Sequence, residues 1–138
     1  MIELNYVTQF SLDNENFYLE WLQKLAISES KTVGEVSVVF CDDEYLLKIN
    51  IQHLSHDFYT DIITFDYCVG DELNGDVFIS IDRVRENASE FKVSFENELL
   101  RVMSHGFLHL CGYKDKSNSD SKIMRDKEEE KILLFFSI

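Results

Sequence analysis

The stretch from Phe95 to Cys111 constrains this chain more than any other. Phe95, Leu99, Val102 and Met103 form an apolar stripe at helical spacing, and Phe107, Leu108 and Leu110 extend it nearly all round. A helix of that kind belongs in the centre of a fold. Yet it carries His105 and His109, four residues apart and therefore one turn above each other on the same face. An imidazole on an apolar helix needs partners for its ring nitrogens, and a metal ion supplies one. Gly112 lets the helix stop and the chain reverse, so that Asp115 can swing back toward the histidines. A mixed nitrogen and oxygen donor set with a position left open describes a catalytic Zn²⁺ better than a structural one. The expected ligands of one Zn²⁺ per chain are therefore His105, His109 and Asp115. His53 and His56 read as solvated loop residues in a polar connection, and Cys111 stays open between a small hydrophobe and a nearby thiol.

Around that helix the pattern is mixed. Ile2 to Val7 alternates as a strand, and about Asn14 to Ala26 reads as a helix with Phe17, Trp21, Leu22 and Leu25 on one face. Gly34 to Cys41 is a β-branched run suited to a buried strand. Asp42 offers an N-cap for a short helix through Asn50. Asp61 to Tyr67 is a third strand, Asp71 to Gly75 a turn cluster, and Asp76 to Ile81 a fourth strand. Helices over about Asp82 to Phe91, Phe95 to Cys111 and Asn118 to Phe135 complete the chain. The third and fourth strands are too close for a helical crossover and should pair antiparallel. The expectation is an α+β fold: a four-stranded mixed sheet covered by about five helices, with a central metal-binding helix. At 138 residues, with no repeat or low-complexity segment, residues 1–138 are read as one domain.

Composition narrows the function. No run approaches the roughly 20 apolar residues of a membrane span, and the N-terminus lacks the features of a secretory signal. Three cysteines without paired spacing suit a reducing cytoplasm. The net charge of −13 counts against a nucleic-acid partner. It is unevenly spread, however: from Arg101 to Lys127 six basic residues face three acidic ones, and the histidines lie inside that stretch. Zinc peptidases carry a glutamate directly after the first histidine as general base. Here that residue is Gly106, which points to a zinc hydrolase other than a peptidase.

The chain resembles the YbeY family of bacterial rRNA maturation factors, metal-dependent and single-strand-specific endoribonucleases. The family's His-Gly-x-Leu-His-Leu-x-Gly-Tyr-Asp-His stands here as His105-Gly106-Phe107-Leu108-His109-Leu110-Cys111-Gly112-Tyr113-Lys114-Asp115, matching seven of nine fixed positions. Thr60-Asp61-Ile62-Ile63-Thr64-Phe65 is similar to its Thr-Asp-Val-Leu-Ser-Phe strand, Gly75-Asp76-Val77 to its Gly-Asp-Ile, and Asn50 to the asparagine of its Leu-Asn. The likeness covers roughly residues 35 to 130.

Two departures stand out. Asp115 replaces the third histidine, a carboxylate being an accepted zinc ligand that makes the ion less electrophilic. Leu54 occupies the place of an arginine that helps bind or cleave RNA, so that catalytic residue has no counterpart here. The resemblance implies hydrolysis near the 3′ end of small-subunit rRNA and a role in ribosome quality control, with single-stranded RNA and the small ribosomal subunit as partners. The ion would polarise a phosphoryl oxygen or supply hydroxide. Lys114 and Lys116 flank the third ligand, where they either hold phosphate or form a solvated turn, and Asp61 precedes a strand that the family places near the cleft. The competing expectation is a non-catalytic ribosome-assembly factor with a structural zinc, favoured by Leu54 and the acidic surface. A metallopeptidase would need a base that Gly106 cannot be.

Overall fold

In the computed structural model, which describes residues 1–138, the chain begins with strand β1 (Ile2–Tyr6) and helix α1 (Glu15–Ser28), then strand β2 (Thr32–Cys41) and helix α2 (Asp43–Leu54). Two strands follow, β3 (Ile62–Asp66) and β4 (Glu72–Ser80), and then three helices, α3 (Ile81–Phe91), α4 (Phe95–Leu110) and α5 (Asn118–Phe136). The sheet order is β1-β2-β4-β3. β1, β2 and β4 run parallel, and β3 pairs antiparallel with β4, from Ile62 opposite Ile79 to Asp66 opposite Gly75. The expected four-stranded mixed sheet with five helices is what forms.

Alternation sorts the strand side chains. Val36, Val38 and Phe40 of β2, with Leu73, Val77 and Ile79 of β4, enter a core of 22 buried residues shared with α1, α4 and α5. Cys41 and Ile63, on the opposite parity, meet Leu46 of α2 in a smaller cluster. Trp21 is fully buried and donates its indole N–H to the Lys131 carbonyl at 2.8 Å, tying α1 to α5. Asp42 caps α2 as its sequence suggests, accepting from the Tyr45 amide, and Ser80 and Ser94 likewise accept from the Arg83 and Asn97 amides at the starts of α3 and α4.

Two boundaries differ from the sequence reading. The cluster Asp71 to Gly75 is not the turn. β4 begins at Glu72, and the reversal lies before it, around Gly70 at φ 57°. Gly75 sits inside the strand because a Cβ there would lie 2.3 Å from the Phe65 carbonyl oxygen; close approach of two backbones is its reason. Helix α2 also runs past Asn50 to Leu54, ending at Ser55 in the left-handed region (φ 56°). His53 therefore lies on a helix, edge-on to Phe65 at 5.6 Å, and not in a polar connection.

Helix α4 crosses the sheet at Gly106, where an added Cβ would sit 2.8 Å from both Ile62 Cδ1 and Val77 Cγ1. That contact directs one face of the helix onto β3 and β4. It leaves the last two turns, with His105 and His109, at the edge of a cleft.

Candidate metal centre

His105 and His109 project from the last two turns of α4, and the chain turns sharply behind them. The Gly112 amide donates to the His109 carbonyl and the Tyr113 amide to that of Leu108, with Gly112 at φ 105°. This left-handed closure satisfies the helix's last carbonyls and returns the chain toward its own end. It brings Asp115 Oδ2 to 3.1 Å from His105 Nε2 and 3.4 Å from His109 Nε2, while the two Nε2 atoms are 2.9 Å apart. Donors about 2.0–2.2 Å from one tetrahedral ion stand about 3.3–3.6 Å from each other, so the three atoms are within a few tenths of an ångström of that triangle.

The second nitrogen of each ring decides what the first can do. His109 Nδ1 lies 2.9 Å from the Tyr113 carbonyl oxygen, which can only accept, so Nδ1 carries the proton. His105 Nδ1 lies 2.6 Å from Glu128 Oε2, a buried carboxylate, and donates likewise. Both Nε2 lone pairs then point at each other and at a carboxylate. Such a set of converging acceptors suits a cation, and the residues present fit a bound Zn²⁺. Burial alone pulls the His105 pKa down; the Glu128 hydrogen bond and charge, with Asp115 and Asp61 beyond, outweigh it and hold it above the ordinary value. The same surroundings favour positive charge at this point.

Behind His105 lies a charge network that the sequence reading missed. Arg101, one turn earlier on α4, donates to Glu98 Oε2 at 2.6 Å and to Asp61 Oδ2 at 3.3 Å, and pairs with Glu128 Oε1 at 3.7 Å. Glu98 and Glu128 are both buried. The available signal was weak: Glu98, Arg101 and His105 share one helical face, but Glu128 reaches them from a different helix.

The cleft in front of the histidines has a volume of about 740 Å³. Leu54, His56, Asp61, Lys114 and Lys116 all line it with His105, His109 and Asp115, whereas His53 does not. His56 is the loop histidine of the sequence reading and stays exposed. No cationic side chain stands at Leu54. Cys111 packs against the main core, and burial pushes its thiol up to about 12, which leaves it a small hydrophobe. Asn50, 1% exposed, donates from Nδ2 to the Phe58 carbonyl at 2.9 Å and so fixes a loop that lines the cleft.

Comparison with known proteins gives this geometry a family. The model described as "Endoribonuclease YbeY" matches residues 5–136. The endoribonuclease YbeY of Flavobacterium johnsoniae is 58% identical over 135 residues, covering 98% of this chain and 97% of that protein. That of Christiangramia forsetii is 51% identical over 135 residues, covering 96% and 94%. Among solved structures, the solution structure of TM1509 from Thermotoga maritima matches at a TM-score of 0.74 and 30% identity, covering 99% of this chain and 90% of that one.

Proposed function

The chain belongs to the endoribonuclease YbeY family, and from that premise we propose that it is a zinc-dependent, single-strand-specific endoribonuclease that matures the 3′ end of small-subunit rRNA. On this reading it works in the cytoplasm, on the small ribosomal subunit, and serves ribosome quality control. The observation that carries the proposal is the convergence of His105 Nε2, His109 Nε2 and Asp115 Oδ2 at the edge of an open cleft. When bound there, Zn²⁺ supplies Lewis acidity to a phosphoryl oxygen of the strand.

The remaining work falls to side chains. Glu128 and the Tyr113 carbonyl hold the two imidazoles in the tautomer that offers Nε2 inward. Arg101 fixes Glu128 behind His105 and also pairs with Asp61 at the cleft wall, so both carboxylates are held in place. Lys114 and Lys116, on the turn that carries Asp115, line the cleft and would offer their ammonium groups to a phosphate of the strand. Gly106 leaves no carboxylate at the position of a peptidase base, in keeping with a phosphodiester rather than a peptide substrate.

The test is cleavage of a single-stranded RNA oligonucleotide by the zinc-loaded protein. His109→Ala and a chelator should each abolish it while the melting temperature of the wild-type protein changes little. Undiminished cleavage by His109→Ala would overturn the catalytic reading. Leu54, standing where the family's arginine is expected, favours the non-catalytic assembly factor, which predicts collapse of the fold on chelation and no cleavage at any zinc level.

A further inference from the structure

Two aromatic rings from the α2–β3 loop line the same cleft as the three donor atoms, and the metal reading does not use them. His56 and Phe58 lie on the loop between α2 and β3, their rings stacked at 5.2 Å between centroids and 21° between planes. Both line the cleft, and Phe58 is 56% exposed. The loop that carries them is fixed at several points. The His56 amide donates to the Asn50 carbonyl at 3.2 Å, Asn50 Nδ2 to the Phe58 carbonyl at 2.9 Å, and the Ser80 amide to the Asp61 carbonyl at 2.9 Å. A phenyl ring held in water by a buried asparagine contributes nothing to the core and costs apolar exposure. Its free face is available to a flat, apolar group.

Charge indicates what that group is. The cleft carries Asp61, Asp66 and Asp115 against Lys114 and Lys116, in a chain of net charge −13, and Leu54 adds an apolar rather than a cationic neighbour. Phosphate attraction would therefore be confined to the cation that the donor triad would hold and to the two lysines. A polyanion gripped by so acidic a protein needs a contact that does not depend on charge, and stacking of unpaired bases on aromatic rings is such a contact. Bases in a duplex have their faces covered and cannot use it. We propose that His56 and Phe58 form a stacking platform for an unpaired nucleobase of the RNA strand, in the same cleft as His105, His109 and Asp115. This inference rests on the ribonuclease reading above, and it makes the platform the reason for single-strand specificity.

The experiment uses the zinc-loaded full chain and a short single-stranded RNA carrying 2-aminopurine, whose fluorescence falls when its base stacks. Stopped-flow mixing reads binding before cleavage, and a steady-state assay on unlabelled RNA reads KM and kcat. Phe58→Ala and His56→Ala should lose the fluorescence change, and Phe58→Ala should raise KM about tenfold at unaltered zinc content. Phe58→Trp should restore both. On an oligonucleotide with abasic riboses, wild type and Phe58→Ala should bind alike. An unchanged fluorescence signal and KM in Phe58→Ala would overturn the platform, as would an equal loss of affinity on the abasic strand or failure of the wild type to bind single-stranded RNA. Wild-type protein that quenches 2-aminopurine through Phe58 but never cleaves would support the platform and overturn the nuclease reading.

Discussion

A histidine can donate a lone pair to an ion from Nε2 only if Nδ1 keeps its proton, and each imidazole here has a different device to ensure it. His109 uses a backbone carbonyl four residues further on, at Tyr113, so its tautomer follows from the turn itself. His105 uses Glu128, which Arg101 holds in turn. That difference divides what the sequence could reveal. The spacing of His105, His109, Gly112 and Asp115 was legible because a helix and one turn convert sequence distance directly into geometry. Glu128 was not, because 23 residues and a change of helix separate it from His105. It should matter nonetheless: Glu128→Gln, which keeps the shape and removes the anion, should weaken zinc binding about 10- to 100-fold. A titration against a competing chelator measures this, with the melting temperature of the zinc-free protein as control for folding. Zinc affinity equal to wild type would show that His105 needs no carboxylate behind it.

At the level of elements, the central helix of the sequence reading crosses the sheet as its apolar circumference required, and the close strand pair is antiparallel as its short connection required. The misplaced boundaries share a cause. Ser55 ends α2 in a left-handed conformation that glycine or asparagine would have signalled, and Asp71 to Gly75 looks like a turn while Gly75 is there for close packing. Gly106 is similarly double in meaning. Its sequence reading was the lack of a peptidase base; its structural role is to let α4 touch Ile62 and Val77. Gly106→Ala should gain about 1 kcal/mol of helix propensity. It should lose about 1–3 kcal/mol to overpacking, because Val77 is β-branched and cannot move its methyl away cheaply. The expected net effect is a loss of about 1 kcal/mol, seen as a fall of about 4 °C in the thermal midpoint. A midpoint equal to or above wild type would show that the interface between α4 and the sheet has room to spare.

Over the whole molecule, α1 and α5 are joined by a buried charge cluster that also reaches the cleft. Lys131, 1% exposed, donates to Glu29 Oε2 at 2.6 Å and to Ser28 Oγ at 2.8 Å, and Lys127 meets Glu29 at 3.2 Å. Tyr113 donates its hydroxyl to Glu29 Oε1 at 2.6 Å, and the same residue's carbonyl orients His109. Burial disfavours the Glu29 anion, but the hydrogen bonds from Lys131, Tyr113 and Lys127 outweigh it and hold its carboxyl below the ordinary value of 4.5. A carboxyl whose pKa is lower in the folded than in the unfolded state stabilises the fold above the unfolded value, and that stabilisation fades as pH falls through the folded one. The total stability is a poor probe of this, because a chain of net charge −13 also loses self-repulsion as its other carboxylates protonate. The difference between wild type and Glu29→Gln isolates it. Removing the anion leaves the buried Lys131 with Glu130, at 2.5 Å, as its remaining carboxylate, so the loss at pH 7 should be about 1–3 kcal/mol, the cost of an under-satisfied charged donor rather than of a fully unpaired charge. Urea unfolding should give that same gap at pH 7 and pH 6, and a gap that shrinks progressively below about pH 4.5 as the wild-type carboxyl protonates. A gap that stays constant down to acid unfolding would mean that Glu29 acts through its shape and hydrogen bonds, with its charge contributing nothing.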